Sequence, residues 1–419
     1  MVDLGVIATV VLLYALVSRT LERRGITAPM VFVAAGIIAW PEVLDVVGLE
    51  ITSGTGLVVA EVTLVIVLFA DASRIDVGTL RGNANLPSRL LAIGMPMTIG
   101  AGVLAAALLV TDLDFWEGAV LAAILAPTDA ALGKAVISNQ AVPGRVRQAL
   151  NVESGLNDGF SVPFLFLFLA LAVAEGPTEG GDWVAFAVEQ IGIGTAVGIG
   201  VGSLGGWAIG RAVRLDTTTG TFRQLSIVAL AVLLWALAVE LGGNGFIAAF
   251  VGGLVAGRIT PATGESILDF TEEEGELLQA VVFFIFGIAA LEFLGSVTWE
   301  IALFALLSLT VIRMAPVAVA LLGTGLSPQS VAFIGWFGPR GLASIILALV
   351  VLEEEPGLPA IDFILAAMTL TVLASVYVHG ATARPLARAY GRHVAALPAE
   401  APEMDTYSEL PTRGRMAEP

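Results

Sequence analysis

The 419 residues include no cysteine, a single lysine (Lys134) and two histidines, His379 and His393. The missing cysteine excludes disulfides, thiolate metal centres and thiol nucleophiles. A phosphate-binding loop ending at Lys134 is excluded too. Gly133 precedes the lysine, but Thr128 stands where such a loop needs its first glycine. Both histidines lie far along the chain, at or beyond the end of the last apolar segment, so a transition-metal centre built on imidazole is not expected. Charge is scarce. Charged residues make up 14% of the chain, against about a quarter in soluble domains. The net charge of −17 excludes a nucleic-acid partner, which would need basic patches.

Hydrophobic residues are abundant, at 57%. They gather in thirteen apolar segments, at 4–21, 28–46, 57–73, 89–110, 115–137, 149–174, 184–210, 224–241, 244–258, 277–294, 298–322, 328–352 and 359–383. Most reach the ~18–20 residues that cross a hydrocarbon core of ~30 Å. All read as helices, because a spanning backbone must satisfy its own hydrogen bonds. The pattern predicts an all-α polytopic membrane protein in contact with lipid. The first segment lacks a basic n-region and a cleavage site, so it reads as a mature span. The transmembrane domain is expected over 1–385. A short cytoplasmic tail, 386–419, is expected to be disordered.

The loops alternate in sign. Those after the first, third, fifth and seventh segments carry Arg19, Arg23 and Arg24; Arg74, Arg81 and Arg89; Arg145 and Arg147; and Arg211, Arg214 and Arg223. Loops after even-numbered segments carry no Lys or Arg but hold acids: Glu42, Asp45 and Glu50; Asp112 and Asp114; Glu175, Glu179 and Asp182; and Glu353, Glu354 and Glu355. The positive-inside rule then predicts an outside N-terminus and a cytoplasmic C-terminus. The acidic stretch 264–276 reads as a solvated entry to the tenth span.

Six charges do not fit in loops: Glu61, Asp129, Glu153, Asp158, Arg313 and Arg340. Each would cost at least ~2.5 kcal/mol in a membrane, so they must pair, face water or bind something. In NVESGLNDG (151–159), Ser154 and Asp158 are four apart, as are Glu153 and Asn157. On a helix these make two adjacent columns of oxygen-bearing groups. Oxygen-only donors suit a hard monovalent cation rather than a transition metal. Two segments are interrupted. The fifth has Pro127-Thr128-Asp129 and the twelfth has Gly338-Pro339-Arg340-Gly341. Such breaks are tolerated at membrane depth only inside protein or around a watery cavity. The segments are seven apart and so run oppositely. Paired broken helices in two inverted halves point to a transporter site at the midplane. Asp129 and Arg340 are suited to neutralise the facing helix ends.

At PTDAALGKAVI (127–137), NVESGLNDG (151–159), LFADASRID (68–76) and FGPRGLAS (337–344), the chain resembles NhaP-type sodium/proton exchangers of the monovalent cation/proton antiporter family. The resemblance covers residues 5–385. It implies thirteen helices, with a dimerisation part and a six-helix core containing two crossed, unwound helices. It also implies a homodimer in a prokaryotic inner membrane with a role in pH homeostasis, no cofactor beyond the transported Na+ and H+, and a transporter rather than an enzyme. Asp158 would take a proton or the cation, with Asn157 its structural partner and Thr128 and Ser154 further ligands. Asp129 and Arg340 would hold the breaks, Glu153 would pair with Arg313, and Glu61 would contact the ion through water. Ala130 departs from the pattern, since many relatives have proline there.

One carboxylate that holds H+ or Na+ (or Li+) by turns predicts electroneutral one-for-one exchange by alternating access. K+/H+ exchange on the same fold and a cation channel remain open readings. An intramembrane aspartyl protease is disfavoured, because its apolar-flanked Asp motifs on unbroken helices are absent.

Overall fold

A computed structural model describes residues 2–40, 54–74, 85–110, 113–175, 183–260, 265–398 and 400–405. Arg81, Glu42, Asp45, Glu50, Asp112, Glu179, Asp182 and the chain beyond 405 lie outside the described residues, as do the side chains of 261–274. The described chain is helical and holds no strand. Its helices follow the expected segments: α1 Val2–Arg23, α2 Ala28–Ala39, α3 Gly54–Ser73, and α4 from Asn85–Arg89 through a π turn, Leu90–Gly94, to Met95–Leu109. The fifth segment is two half-helices, α5a Phe115–Ile124 and α5b Ala130–Ile137. Then come α6 Gly144–Glu175, α7 Trp183–Arg214, α8 Gly220–Glu240, α9 Gly245–Ile259 and α10 Glu265–Phe293. The eleventh segment divides into α11a Trp299–Leu309 and α11b Val311–Ala320, and the twelfth into α12a Pro328–Trp336 and α12b Leu342–Glu354. The last is α13, Ile361–Val394. Among the described residues, eight helices are long and apolar enough to cross a membrane by length and composition.

The helices pack as two bundles. One, the scaffold, contains α2, α3 and α7 to α10, with α1 laid against α2. The other, the core bundle, contains α4, α5, α6, α11, α12 and α13. They meet where α3 touches α6 and α12b and where α7 and α9 touch α6. The lone lysine also links them, since Lys134 of α5b pairs with Glu276 of α10.

Two features depart from the sequence-based expectation. The eleventh segment is interrupted at Thr310, where the backbone leaves helical geometry (φ −120°, ψ −95°). The Thr310 hydroxyl donates to the Leu306 carbonyl at 2.7 Å, a back-bond that bends helices, and Pro316 follows six residues on.

The second departure is the tail. Disorder was expected from residue 386, yet α13 continues to Val394 and a 3₁₀ turn forms at Pro402–Met404. Glu403 is buried, and one of its carboxylate oxygens accepts from the Ser327 N–H (2.8 Å) and the Ser330 hydroxyl (2.7 Å) at the start of α12a. Arg145 at the start of α6 donates to the Pro402 carbonyl (2.6 Å) and to Asp405 (2.8 Å). Polarity misled the expectation. Glu403 serves the N-terminal end of α12a and Asp405 pairs with Arg145, which composition alone does not reveal.

Candidate functional site

The two broken helices meet at their breaks. The Asp129 N–H donates to the Pro339 carbonyl at 2.7 Å. One carboxylate then caps two helices. Asp129 Oδ1 accepts from the Ala131 and Leu132 N–H groups of α5b (2.7 and 3.3 Å), and Oδ2 accepts from the Leu342 N–H of α12b (2.8 Å). These are orphan donors at positive dipole ends, where a carboxylate is most stabilising. At the C-terminal end of α5a the charge is opposite. Arg340 Nη1 donates to the carbonyls of Ala126 (2.6 Å) and Pro127 (3.0 Å), and the Ser344 hydroxyl takes that of Ile124 (2.7 Å).

The glycines of the Gly-Pro-Arg-Gly run serve close approach. A side chain at 341 would collide with the Asp129 carboxylate, and one at 338 with the Arg313 guanidinium. Arg313 in turn makes a two-pronged pair with Glu153, Nη1 to Oε1 at 2.5 Å and Nη2 to Oε2 at 2.8 Å, with both residues 2% exposed. Four of the six membrane charges are thus consumed by helix ends or by each other.

Beside this lattice lies a cluster of neutral oxygens. The Asn157 amide donates to the Thr128 hydroxyl at 2.7 Å, and the Thr128 and Ser154 hydroxyls are 3.0 Å apart. All three residues are buried. Asn157 Oδ1 is buried with no hydrogen-bond partner. Asp158 is buried next along α6, one turn beyond Ser154. An orphaned acceptor beside hydroxyls and a carboxylate fits a desolvated hard cation, whose ligands are oxygens. Among the described residues, no group of three or more His, Cys, Asp or Glu is placed to hold a metal ion.

Glu61 is the one candidate that the structure places elsewhere. It lies close enough to Glu353 and Glu354, at the far end of α12b, to feel their charge. Asp71, further along α3, is 8% exposed and stands against Gly155 of α6. Asp71 is ten residues beyond Glu61, or ~15 Å along a helix. Its motif, LFADASRID, was visible in the sequence. Nothing local indicates, however, which of two acids on one helix reaches a neighbouring helix. His379, near the end of the thirteenth segment, is 1% exposed inside the core bundle and touches the α12 break.

Comparison with known proteins bears on this geometry. The chain is 28% identical over 379 residues to the K(+)/H(+) antiporter NhaP2 of Shewanella baltica (strain OS223), covering 89% of this chain and 64% of that protein. It is 27% identical over 395 residues to the K(+)/H(+) antiporter NhaP of Alkalimonas amylolytica, covering 92% and 67%. The chain therefore spans just under two thirds of the Shewanella relative. In fold it is similar to the sodium proton antiporter MjNhaP1 of Methanocaldococcus jannaschii, solved at pH 8, with a TM-score of 0.76 and 21% identity over 92% of this chain and 98% of that one. Residues 6–389 match the family described as sodium/hydrogen exchanger, transmembrane. By that match, and with its helical polytopic architecture, the chain is a multi-pass membrane protein of the sodium/hydrogen exchanger family.

Proposed function

We propose that the protein is a secondary antiporter exchanging Na+ or Li+ for H+, one for one, with Asp158 holding either ion. The observation that carries this reading is the buried oxygen cluster of Thr128, Ser154 and Asn157 beside Asp158, with its orphaned acceptor. It sits among charges that are already matched. Arg313 occupies both oxygens of Glu153, and Asp129 and Arg340 are spent on helix ends. Exchanging a proton for a monovalent cation on Asp158 then leaves the net charge of the site unchanged, so the membrane potential does no work on the loaded carrier.

The empty, ionised site is the state least able to cross, because an uncompensated buried carboxylate is costly. That penalty couples the two fluxes. The core bundle carries the site past the scaffold in alternating access, the motion suited to broken helices at the midplane. The arginine-rich loop ends face the cytoplasm, and the scaffold pairs two copies in a prokaryotic inner membrane. The exchange would serve pH homeostasis. Asp71, beside Gly155, adds a second carboxylate to the approach to Asp158.

K+/H+ exchange is the second reading, favoured by the names of the curated relatives. Proton flux in proteoliposomes, with Na+, Li+ and K+ supplied in turn and with and without a potential, separates the two. Asp158→Asn is expected to abolish exchange, a loss of at least about a hundredfold, while the protein remains folded. Cation-driven pH change that persists in that variant refutes the assignment. In the same assay Asp71→Asn is expected to weaken exchange about tenfold, while Glu61→Gln stays within about twofold, in line with charge-assisted contacts worth ~1.5–3 kcal/mol when present.

A further inference from the structure

The four helix ends at the crossing are served by different groups. Asp129 serves both N-terminal ends, and Arg340 serves the C-terminal end of α5a. At the C-terminal end of α12a the partner is His379, whose Nε2 lies 3.0 Å from the Trp336 carbonyl. A carbonyl only accepts, and Nδ1 lies 3.2 Å from the Ser375 carbonyl as well, so we assign the proton to Nε2 as the nitrogen with the shorter carbonyl approach. In the neutral ring Nδ1 is then an acceptor. It lies 3.2 Å from the Ser375 hydroxyl, whose oxygen accepts the Arg340 N–H at 2.7 Å. The bonds run in one direction: from the Arg340 N–H to Ser375, from Ser375 to His379, and from His379 to Trp336. Histidine and serine, four apart on α13, thereby bind both sides of the α12 break. Both are buried, and neither belongs to the oxygen cluster assigned to the ion above.

We propose that His379, acting with Ser375, is a positioning residue for cation binding. The pair holds the Arg340 backbone so that its guanidinium stays on the Ala126 and Pro127 carbonyls, immediately before Thr128. Loosening the α12 break displaces Thr128, and with it the oxygen cluster. This rests on the exchange reading above. It predicts a defect in cation affinity rather than in the amount of working carrier.

The test is cation-dependent proton flux in proteoliposomes, normalised to folded protein, with His379→Leu, His379→Gln and Ser375→Ala. Leucine fills the space without either bond. Glutamine offers an amide N–H for Trp336 and an oxygen for the Ser375 hydroxyl. The expected result for His379→Leu is a rise of about tenfold in the half-saturating cation concentration, the scale of one or two lost buried hydrogen bonds, with maximal rate within about threefold. His379→Gln should return the half-saturating concentration to within about threefold of wild type. Ser375→Ala, which removes only a hydroxyl, should raise it in the same direction, and it carries the test if the leucine variant does not fold.

An unchanged half-saturation in both His379→Leu and Ser375→Ala overturns the proposal. So does a loss of maximal rate alone, or a glutamine variant no better than leucine. A wild-type protein without cation-dependent proton flux would instead overturn the exchange reading, a separable outcome.

Discussion

In the scaffold, α7 approaches α9 along Gly194, Gly198, Gly202 and Gly206, and at Gly202 and Gly206 the backbone of α9 lies where a side chain would stand. Gly36 of α2 and Gly287 of α10 meet in the same manner. The core bundle instead buries Asp129, Glu153, Asp158, Arg313, Arg340 and His379, and its backbone is broken three times, in α5, α11 and α12. The scaffold is held by dispersion between closely approaching helices, which rises and falls smoothly with fit. The core bundle is held by directional bonds between charges and helix ends, where a missing partner leaves a buried group uncompensated. The proposed exchange calls for the second kind of construction, because a hard cation is held by polar oxygens and not by close-packed apolar surfaces.

The largest expected effect tests the core side of that contrast. Arg313→Leu leaves Glu153 as a buried carboxylate without its cation, and loss of one member of such a pair costs ~3–5 kcal/mol. Thermal melting in detergent should fall steeply. Arg313→Leu combined with Glu153→Leu should recover much of the loss, because replacing both charges with apolar groups is often neutral. An unchanged melt for the single variant would mean that the pair does not brace the bundle.

A smaller effect is expected on the scaffold side. Gly202→Ala pushes a methyl group into the α9 backbone at Gly252. Overpacking of this kind costs ~1–3 kcal/mol. Melting should drop, while the half-saturating cation concentration of the folded protein stays at the wild-type value. A shifted half-saturation would erase the distinction between the bundles.

The smallest effect belongs to the tail. Burial favours the neutral form of the Glu403 carboxyl, but hydrogen bonds from the Ser330 hydroxyl and the Ser327 N–H outweigh it, so its pKa lies below the ordinary 4.5. A carboxyl with a lowered folded pKa contributes stability above its unfolded value, and that contribution is lost as pH falls through the folded value. Glu403→Gln should therefore melt lower than wild type at neutral pH, by ~1–2 kcal/mol for hydrogen bonds to a charged group. The gap should close on acidification below 4.5. A gap that holds constant across that range would show that the carboxylate is not the fastening group.

The helices and the breaks were legible because membrane burial imposes a length, and Pro127 and Pro339 each remove a backbone donor. The charged residues of the site stood out because any ionisable group in an apolar run demands an explanation. Other features were less visible. The interruption at Thr310 depends on one side chain choosing a backbone carbonyl, and threonine occurs in many unbroken helices. The turn at Pro402–Met404 depends on Glu403 finding Ser327 and Ser330, more than seventy positions away.

By itself, the order of residues determined that this chain spans a membrane, where it is interrupted and which residue types must find partners there. Hydrophobic length and backbone hydrogen bonding are local quantities, so the sequence contains them. The assignment of partners belonged to the tertiary structure. It put one carboxylate on two helix ends, brought Asp71 against Gly155 of α6 and set His379 against the α12 break. Those choices turn on distances of about 3 Å between helices that are remote along the chain, and only the packed bundle defines such distances.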